Sequence, residues 1–477
     1  MRGGAAPHPV SYRKRTALTN TAIPHSRLRL PIIGDLLTVD FAKPAQGLST
    51  QIRKLDSPIM EQRIFNVPVI VVSGPALINE VNDDTAWEKN VGFSLRRLRP
   101  IAGDGLITAF NDESNWQRAH NILMPVFSKS AMMTYHDTMA ATVRELLEVW
   151  QHTSAWLDIA DEANRLTIEI IARAGFGYSF GKLGDRSENP FLDAVLRELA
   201  FAIRRTDAIP FYEKVFGRRR KRQHYADKAY IRQWVAEVID SRRHQPSSER
   251  TSILDRMLHT ADPDTGEHLD DDNIINQVLT LLVAGSETTA NTIAFALHHL
   301  AQHPDAAGRV RAEIDQQWPT RAYPDIEFDD VAKLRYLRRV VDETLRLTPV
   351  VPGYYRQAKT STSIGAGQYH FNRGDWVFVL LDAAHRDPAW GPDADDFNPD
   401  RFLPDNQRAL APRIYKPFGT GPRSCIGRQF ALHEAVLTLA AILHQFDIEP
   451  EPGYQLRISE TITYKPAGLK LRLRPRR

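Results

Sequence analysis

The only cysteine in this 477-residue chain, Cys425, lies in the stretch Lys416-Pro-Phe-Gly-Thr-Gly-Pro-Arg-Ser-Cys-Ile-Gly-Arg-Gln-Phe-Ala431. The fold must therefore present one thiol on a glycine- and proline-rich loop that runs directly into an apolar helix. Gly419 and Gly421 allow a left-handed backbone and a close approach to a flat partner. Backbone N–H groups at the start of the following helix favour a charged sulfur. Three readings follow: a small buried hydrophobe, as most free cysteines are, a nucleophile, or the axial thiolate ligand of a haem iron. Arg423, two residues earlier, offers a fork-shaped guanidinium that matches a haem propionate.

The rest of the chain has to accommodate that loop. With 61 basic and 58 acidic residues the net charge is +3, too balanced to point to nucleic acid. One cysteine excludes an internal disulfide. No run of about 18 apolar residues suggests a membrane span. Residues 1–29 are basic and rich in proline, without the apolar core of a secretory signal. Residues 1–26 read as a disordered tail, and a cytoplasmic location is expected. The basic run Phe216–Arg222 reads as the solvated start of a long helix. Asp262–Glu267 lacks the ligand spacing of a calcium loop and reads as a turn.

Periodicity gives mostly helices. Ile59–Val72 is β-rich and broken by Pro68, so it reads as a hairpin, and Pro75 opens a helix to Val81. Asp112 or Ser114 is expected to cap a helix that sets Trp116 and His120 on one face. A long helix runs from Asp270 to about His299. At its centre Leu282-Val-Ala-Gly-Ser-Glu-Thr-Thr-Ala290 combines an unfavourable glycine, Gly285, with a carboxylate and two hydroxyls in an apolar segment. That pattern fits a core helix whose threonines bond back to the previous turn, or a polar groove. Glu343 and Arg346 fall at i and i+3 on the helix Leu334–Leu347 and can pair. Leu469–Arg474 alternates with period two and reads as an edge strand.

In this order the segments Ala-Gly-x-Glu-Thr-Thr (284–289), Glu-x-x-Arg (343–346), Pro-Asp-Arg-Phe (399–402) and the cysteine loop resemble the cytochrome P450 family of haem-thiolate monooxygenases. The resemblance covers residues 27–477 as one unit, overriding the multi-domain expectation from length. It implies a mainly α fold with small β-sheets, with haem b (iron protoporphyrin IX) between the long central helix and the cysteine-loop helix. It makes Cys425 the iron ligand, with Phe418, Gly427, Arg423, Lys89, Trp116 and His120 contacting the haem. The central helix is then expected to loosen at a groove for dioxygen and water, with Thr288 hydrogen-bonding the oxygen and Glu287 relaying protons. Glu343, Arg346 and Arg401 form a buried structural triad.

By motif position Ala102, Ile107, Ala284, Thr289, Val350 and Val351 line the substrate pocket. They are mostly aliphatic and imply an apolar substrate. The segments also resemble bacterial fatty-acid hydroxylases fused to a reductase. Several of those hold the substrate carboxylate by Arg and Tyr on the first hairpin, but here Val67–Val72 carries neither. Nothing in the sequence resembles a flavin domain, so a separate electron donor is expected, a ferredoxin or a flavodoxin/reductase, docking near Arg118 and Arg428. A non-oxygenase haem-thiolate enzyme (peroxygenase, isomerase or dehydratase) is the alternative, against which the intact Glu287–Thr288 pair speaks.

Overall fold

A computed structural model describes residues 21–65, 67–187, 189–204, 218–246, 251–410 and 414–476. Its helices are α1 (Pro44–Leu55), α2 (Pro75–Val81), α3 (Gly92–Ala102), α4 (Ser114–Leu123), α5 (Lys129–Gln151), α6 (Ile159–Ile170) and α7 (Pro190–Arg204). There follow α8 (Arg218–Arg243), α9 (Ile253–His259), α10 (Asp271–Gln302), α11 (Pro304–Gln317), α12 (Arg335–Leu347) and α13 (Arg428–Gln445). Some shorter turns are left without labels.

The central helix α10 begins at an Asp270 cap, whose carboxylate accepts the Asn273 N–H. It is apolar almost all round, and a helix hydrophobic on every face belongs in a core. Accordingly it is buried along nearly its whole length and packs on α6, α12 and α13. At its end α6 passes into one π-helical turn, Ile171–Phe176, stopped by Gly177 at φ +63°.

Sheet structure is confined to small patches. β1 (Ile59–Ile64) and β2 (Val67–Val72) form the expected hairpin. It is extended by β8 (Trp376–Leu380), β5 (Gly353–Ala358) and β3 (Trp87–Asn90) into the order β1-β2-β8-β5-β3. Pro68 is tolerated because β8 pairs only with Ile70–Val72, so no partner asks Pro68 for an N–H. A two-residue β4 (Leu157–Asp158), β9 (Phe446–Pro450) and β12 (Lys470–Pro475) make a three-stranded sheet. Two further pairs are β6 (Thr362–Ile364) with β7 (Tyr369–Phe371), and β10 (Ile458–Glu460) with β11 (Tyr464–Pro466).

Three expectations need correction. β12 is the middle strand, bonded to both β4 and β9, not an edge. Its alternation reflects one buried face (Leu471, Leu473), which is independent of how many partners flank it. The cap of α4 is Glu113, which makes no side-chain cap bond and instead pairs with Arg99 at 2.6 Å. Finally, residues before 27 already belong to the described fold. The Thr21 N–H donates to Gln368 O, Ile23 is buried, and Pro24 O accepts the Glu61 N–H at 2.8 Å. Arg29 then reaches both Asp35 and Glu61 at 2.7 Å. Residues 1–20 lie outside the described residues, as do Phe216 and Gly217 of the basic run, and α8 starts at Arg218.

Candidate active site

The cysteine loop folds through two left-handed glycines, Gly419 and Gly421, each at φ +69°. At Gly421 a Cβ would also strike the Asp84 carboxylate, so this position is closed to other residues on two counts. The Cys425 N–H donates to Phe418 O at 2.9 Å, and the Ser424 N–H to Gly421 O at 3.0 Å. Gly427 is the N-cap of α13. Cys425 is solvent-accessible, yet surrounding protein pushes its thiol above the usual range. A side chain both accessible and enclosed faces a cleft. The Gly427 backbone N–H and the charge of Arg428 act in the opposite sense and favour the thiolate. Phe418 is half-buried, with the Arg428 guanidinium 5.5 Å from its ring centre.

A second segment that is not fully buried lies on α10. Between buried flanks, Val283, Ala284, Gly285, Glu287 and Thr288 are only half-buried. The helix does not loosen there. It runs regularly through Gly285, and an added Cβ would meet Ile171 at an ordinary 3.8 Å. The hydroxyls bond back to the preceding turn: Thr288 to Ala284 O at 2.8 Å, Thr289 to Gly285 O at 3.3 Å and Thr292 to Thr288 O at 2.8 Å. Such back-bonding satisfies a buried hydroxyl without breaking the helix. Glu287 has no hydrogen bond or ion pair among the described residues.

Positive charge gathers on a third side. Lys89 is half-buried, and its Nζ donates to Ile107 O at 2.7 Å. Burial, with the nearby charge of Arg423, lowers its pKa to about 7. The Arg423 guanidinium lies 3.9 Å over the Trp116 ring and donates to the carbonyls of Leu106, Ala109 and Phe110 at 3.2–3.4 Å. Burial pulls it down to about 10. His120 stacks on Trp116 at 4.8 Å, and burial and Arg423 lower it as well. Neither Lys89 nor Arg423 has a carboxylate at ion-pair distance among the described residues. Buried cations without a counter-charge are costly. This cluster therefore suits an acidic ligand, and the two propionates of the implied haem meet that requirement.

Behind the loop, Glu343, Arg346 and Arg401 meet in one buried network. Arg346 grips Glu343 with two bonds, 2.6 and 2.7 Å, and Arg401 Nε reaches the same carboxylate at 3.3 Å. The remaining Arg346 donors go to the carbonyls of His385, Ala394 and Asp396. Asp393 is a partner sequence reasoning missed, paired with Arg401 at 2.7 Å. Asp400 takes a bidentate grip from Arg309 at 2.8 and 2.9 Å.

Among the expected pocket residues, Ile107 and Ala284 are half-buried, Val351 is exposed, and Ala102, Thr289 and Val350 are buried. The loop that carries Ile107 is fixed by groups absent from the motif list. Asp104 accepts from Asn115, Asn273 and Asn276 at 2.7–2.9 Å, and the Leu106 N–H donates to Gln277 at 3.0 Å. The available signal was three amides at i, i+3 and i+4 on an otherwise apolar helix, Asn273, Asn276 and Gln277. Gly103 and Gly105 pack so closely on Asn276 and Thr280 that a Cβ at either would collide. Arg118, expected to face an electron donor, is tied within the chain to Glu267. Arg428 has no ion pair among the described residues and is exposed.

Comparison with known proteins agrees with this geometry. The profile described as Cytochrome P450 matches residues 24–473. The "Bifunctional cytochrome P450/NADPH--P450 reductase 2" of Bacillus subtilis (strain 168) is 38% identical over 423 residues, covering 88% of this chain and 40% of that protein. A Bacillus cereus protein named as the same kind of fusion is 36% identical over 461 residues, 96% of this chain and 42% of its own length. Among solved structures, "Crystal structure of a Cytochrome P450 (CYP102L1)" shares 56% identity with a TM-score of 0.91, covering 96% of this chain and 100% of that one. The cytochrome P450DA heme domain shares 34% identity, with a TM-score of 0.90 over 96% of this chain and 98% of its own. The chain spans about two fifths of the length of the curated relatives it matches. Their names join a P450 to a reductase, so the expectation of a separate donor draws no support from them. No helix among the described residues is long and apolar enough to cross a membrane. From the cysteine loop to the ionic network and the span of the matching profile, the observations agree: this chain belongs to the cytochrome P450 family of haem proteins.

Proposed function

We propose that the protein is a monooxygenase that inserts one atom of dioxygen into a C–H or C=C bond of an apolar substrate. The observation that carries this reading is the pairing of an accessible, enclosed Cys425 with a half-buried Glu287–Thr288 segment on a helix otherwise buried. Haem, when bound, supplies the oxidising chemistry, and the protein supplies ligation, orientation and protons. Cys425 would hold the iron as thiolate, a form favoured by the Gly427 N–H and Arg428. Lys89 and Arg423 would neutralise the propionates, with Trp116 and His120 alongside. Thr288, whose proton is given to Ala284 O, keeps its oxygen lone pairs free to accept a hydrogen bond. The Glu287 carboxyl has no partner among the described residues and is only half-buried, which leaves it open to water. The aliphatic lining at Ala102, Ile107, Ala284, Val350 and Val351 favours a substrate without polar groups near the reacting carbon.

Electrons come from a reductase. The names of the relatives favour a donor of the NADPH–P450 reductase type over a ferredoxin. Exposed Arg428, on the helix that follows the cysteine, is a contact for its acidic surface.

The reduced protein with carbon monoxide should show the red-shifted Soret band of a thiolate ligand. Its absence would sink the reading. A Thr288→Ala variant should keep that band but divert most reductant away from product, measured as product formed per NADPH consumed. Full coupling in that variant would remove the assigned role of the hydroxyl.

A further inference from the structure

The end of α6 meets the centre of α10 at two successive residues, Gly285 and Ser286. Thr167 is buried, on the face of α6 that also carries Ala163 and Ile170. Its hydroxyl lies 3.0 Å from Ser286 O on α10 and 3.2 Å from Asn164 O on its own helix. A hydroxyl has one proton to donate, and Ser286 O is the nearer acceptor. Four residues on, where α6 becomes the π-helical turn, the buried Ile171 packs beside Gly285. A Cβ on Gly175, one turn later, would come within 3.1 Å of Ile171, so that side chain is closely confined. Residues four apart share one face of a helix, so Thr167 and Ile171 present two contacts to the same stretch of α10.

The hydroxyls of that stretch do not tether it to anything else. Ser286 bonds to Leu282 O at 2.8 Å, and Thr288, Thr289 and Thr292 bond to the preceding turn, all inside α10. Such bonds fix each hydroxyl to its own helix but do not set how the helix is turned against its neighbours. The Thr167 bond does, because it crosses from one helix to another. It takes hold of the carbonyl directly before Glu287 and two residues before Thr288. In a regular helix Ser286 O also accepts the Ala290 N–H, and a carbonyl has a lone pair for each donor. We propose that Thr167 is a positioning residue: through Ser286 O it fixes the rotation of α10 that sets Glu287 and Thr288, with Ile171 beside Gly285 as the second point of contact. This deepens the monooxygenase reading and rests on it for the chemical consequence, whereas the tether itself does not.

The test is hydrogen exchange in the haem-loaded full chain. Thr167→Val keeps the shape and removes the hydroxyl. Amides 286–290 should then exchange about fivefold faster, the scale of one lost hydrogen bond, while the rest of α10 is unchanged. Thr167→Ser, which restores the donor, should return them to within about twofold of the parent. Unchanged or slower exchange in Thr167→Val would overturn the tether, and so would an equal rise along all of α10. An NADPH-linked reductase, with n-octane as the probe substrate, reports the consequence. Thr167→Val should raise the hydrogen peroxide released per NADPH consumed part of the way to the Thr288→Ala value, and should add nothing to it in the double variant. No rise in Thr167→Val, or a further rise in the double variant, would overturn action through Thr288. Exchange needs no oxygen chemistry, so a missing thiolate Soret band, or full coupling in Thr288→Ala, would overturn the monooxygenase reading and leave the exchange ratios as they are.

Discussion

Glu343 carries more bonds than its small carboxylate suggests. Two guanidiniums and the Asn398 N–H converge on it in a region sealed from solvent. Burial pushes its pKa up, and Arg346 and Arg401 hold it down. A Glu343→Gln variant would keep the shape but leave two buried cations short of their anion. Breaking a buried ionic network in this way costs about 3–5 kcal/mol. Denaturant unfolding should show a loss of that size with haem bound, whereas a change below about 1 kcal/mol would mean that Asp393 alone satisfies Arg401. The sequence made the Glu-x-x-Arg pair legible because i and i+3 are close on any helix. Asp393 and Arg309 were not legible, because their partners come from loops and helices whose placement no local pattern encodes.

At the scale of elements, α10 does two jobs with different residues. Its centre leaves Glu287 and Thr288 half-buried, while its first turns clamp the loop after α3 through Asn273, Asn276 and Gln277. The clamp turns on Asp104, the common acceptor of three amides. Asp104→Ala should cost at least about 2 kcal/mol, since several hydrogen bonds to one charge are lost together. Hydrogen exchange should speed up over residues 103–109 while α10 itself stays protected. Unchanged exchange there would show that Gln277 and the tight glycine packing suffice. Helices with a clear apolar period were readable within a residue or two at most ends, as were the hairpin and the helix after Pro75. What escaped was relational: β12 has the alternation of any half-buried strand, and whether it lies at an edge depends on β4 and β9, which are far from it in sequence.

Across the whole molecule, several histidines are held neutral by burial. His298 and His433 are lowered to about 4, and His385 to about 3. In the unfolded chain each would protonate near pH 6.5. The unfolded state therefore binds more protons than the fold between these values. Each such histidine contributes stability that is fully present above about pH 6.5 and is lost as pH falls towards 4, at up to about 1.4 kcal/mol per pH unit. Unfolding free energy should fall steeply across that window, and His385→Gln should flatten the slope. An unchanged slope would assign the acid sensitivity to the carboxylates.

The bond from Thr288 to Ala284 O has one more consequence. With its hydroxyl already satisfied inside the helix, the groove is self-sufficient when nothing polar occupies it. A guest that only accepts has to win the hydroxyl by rotating it away from a 2.8 Å partner, whereas a guest that donates, or an apolar one, need not disturb that bond. The bond to Ala284 O therefore sorts guests by what they ask of the hydroxyl: a donor is met by its free lone pairs, and only a pure acceptor has to break the bond.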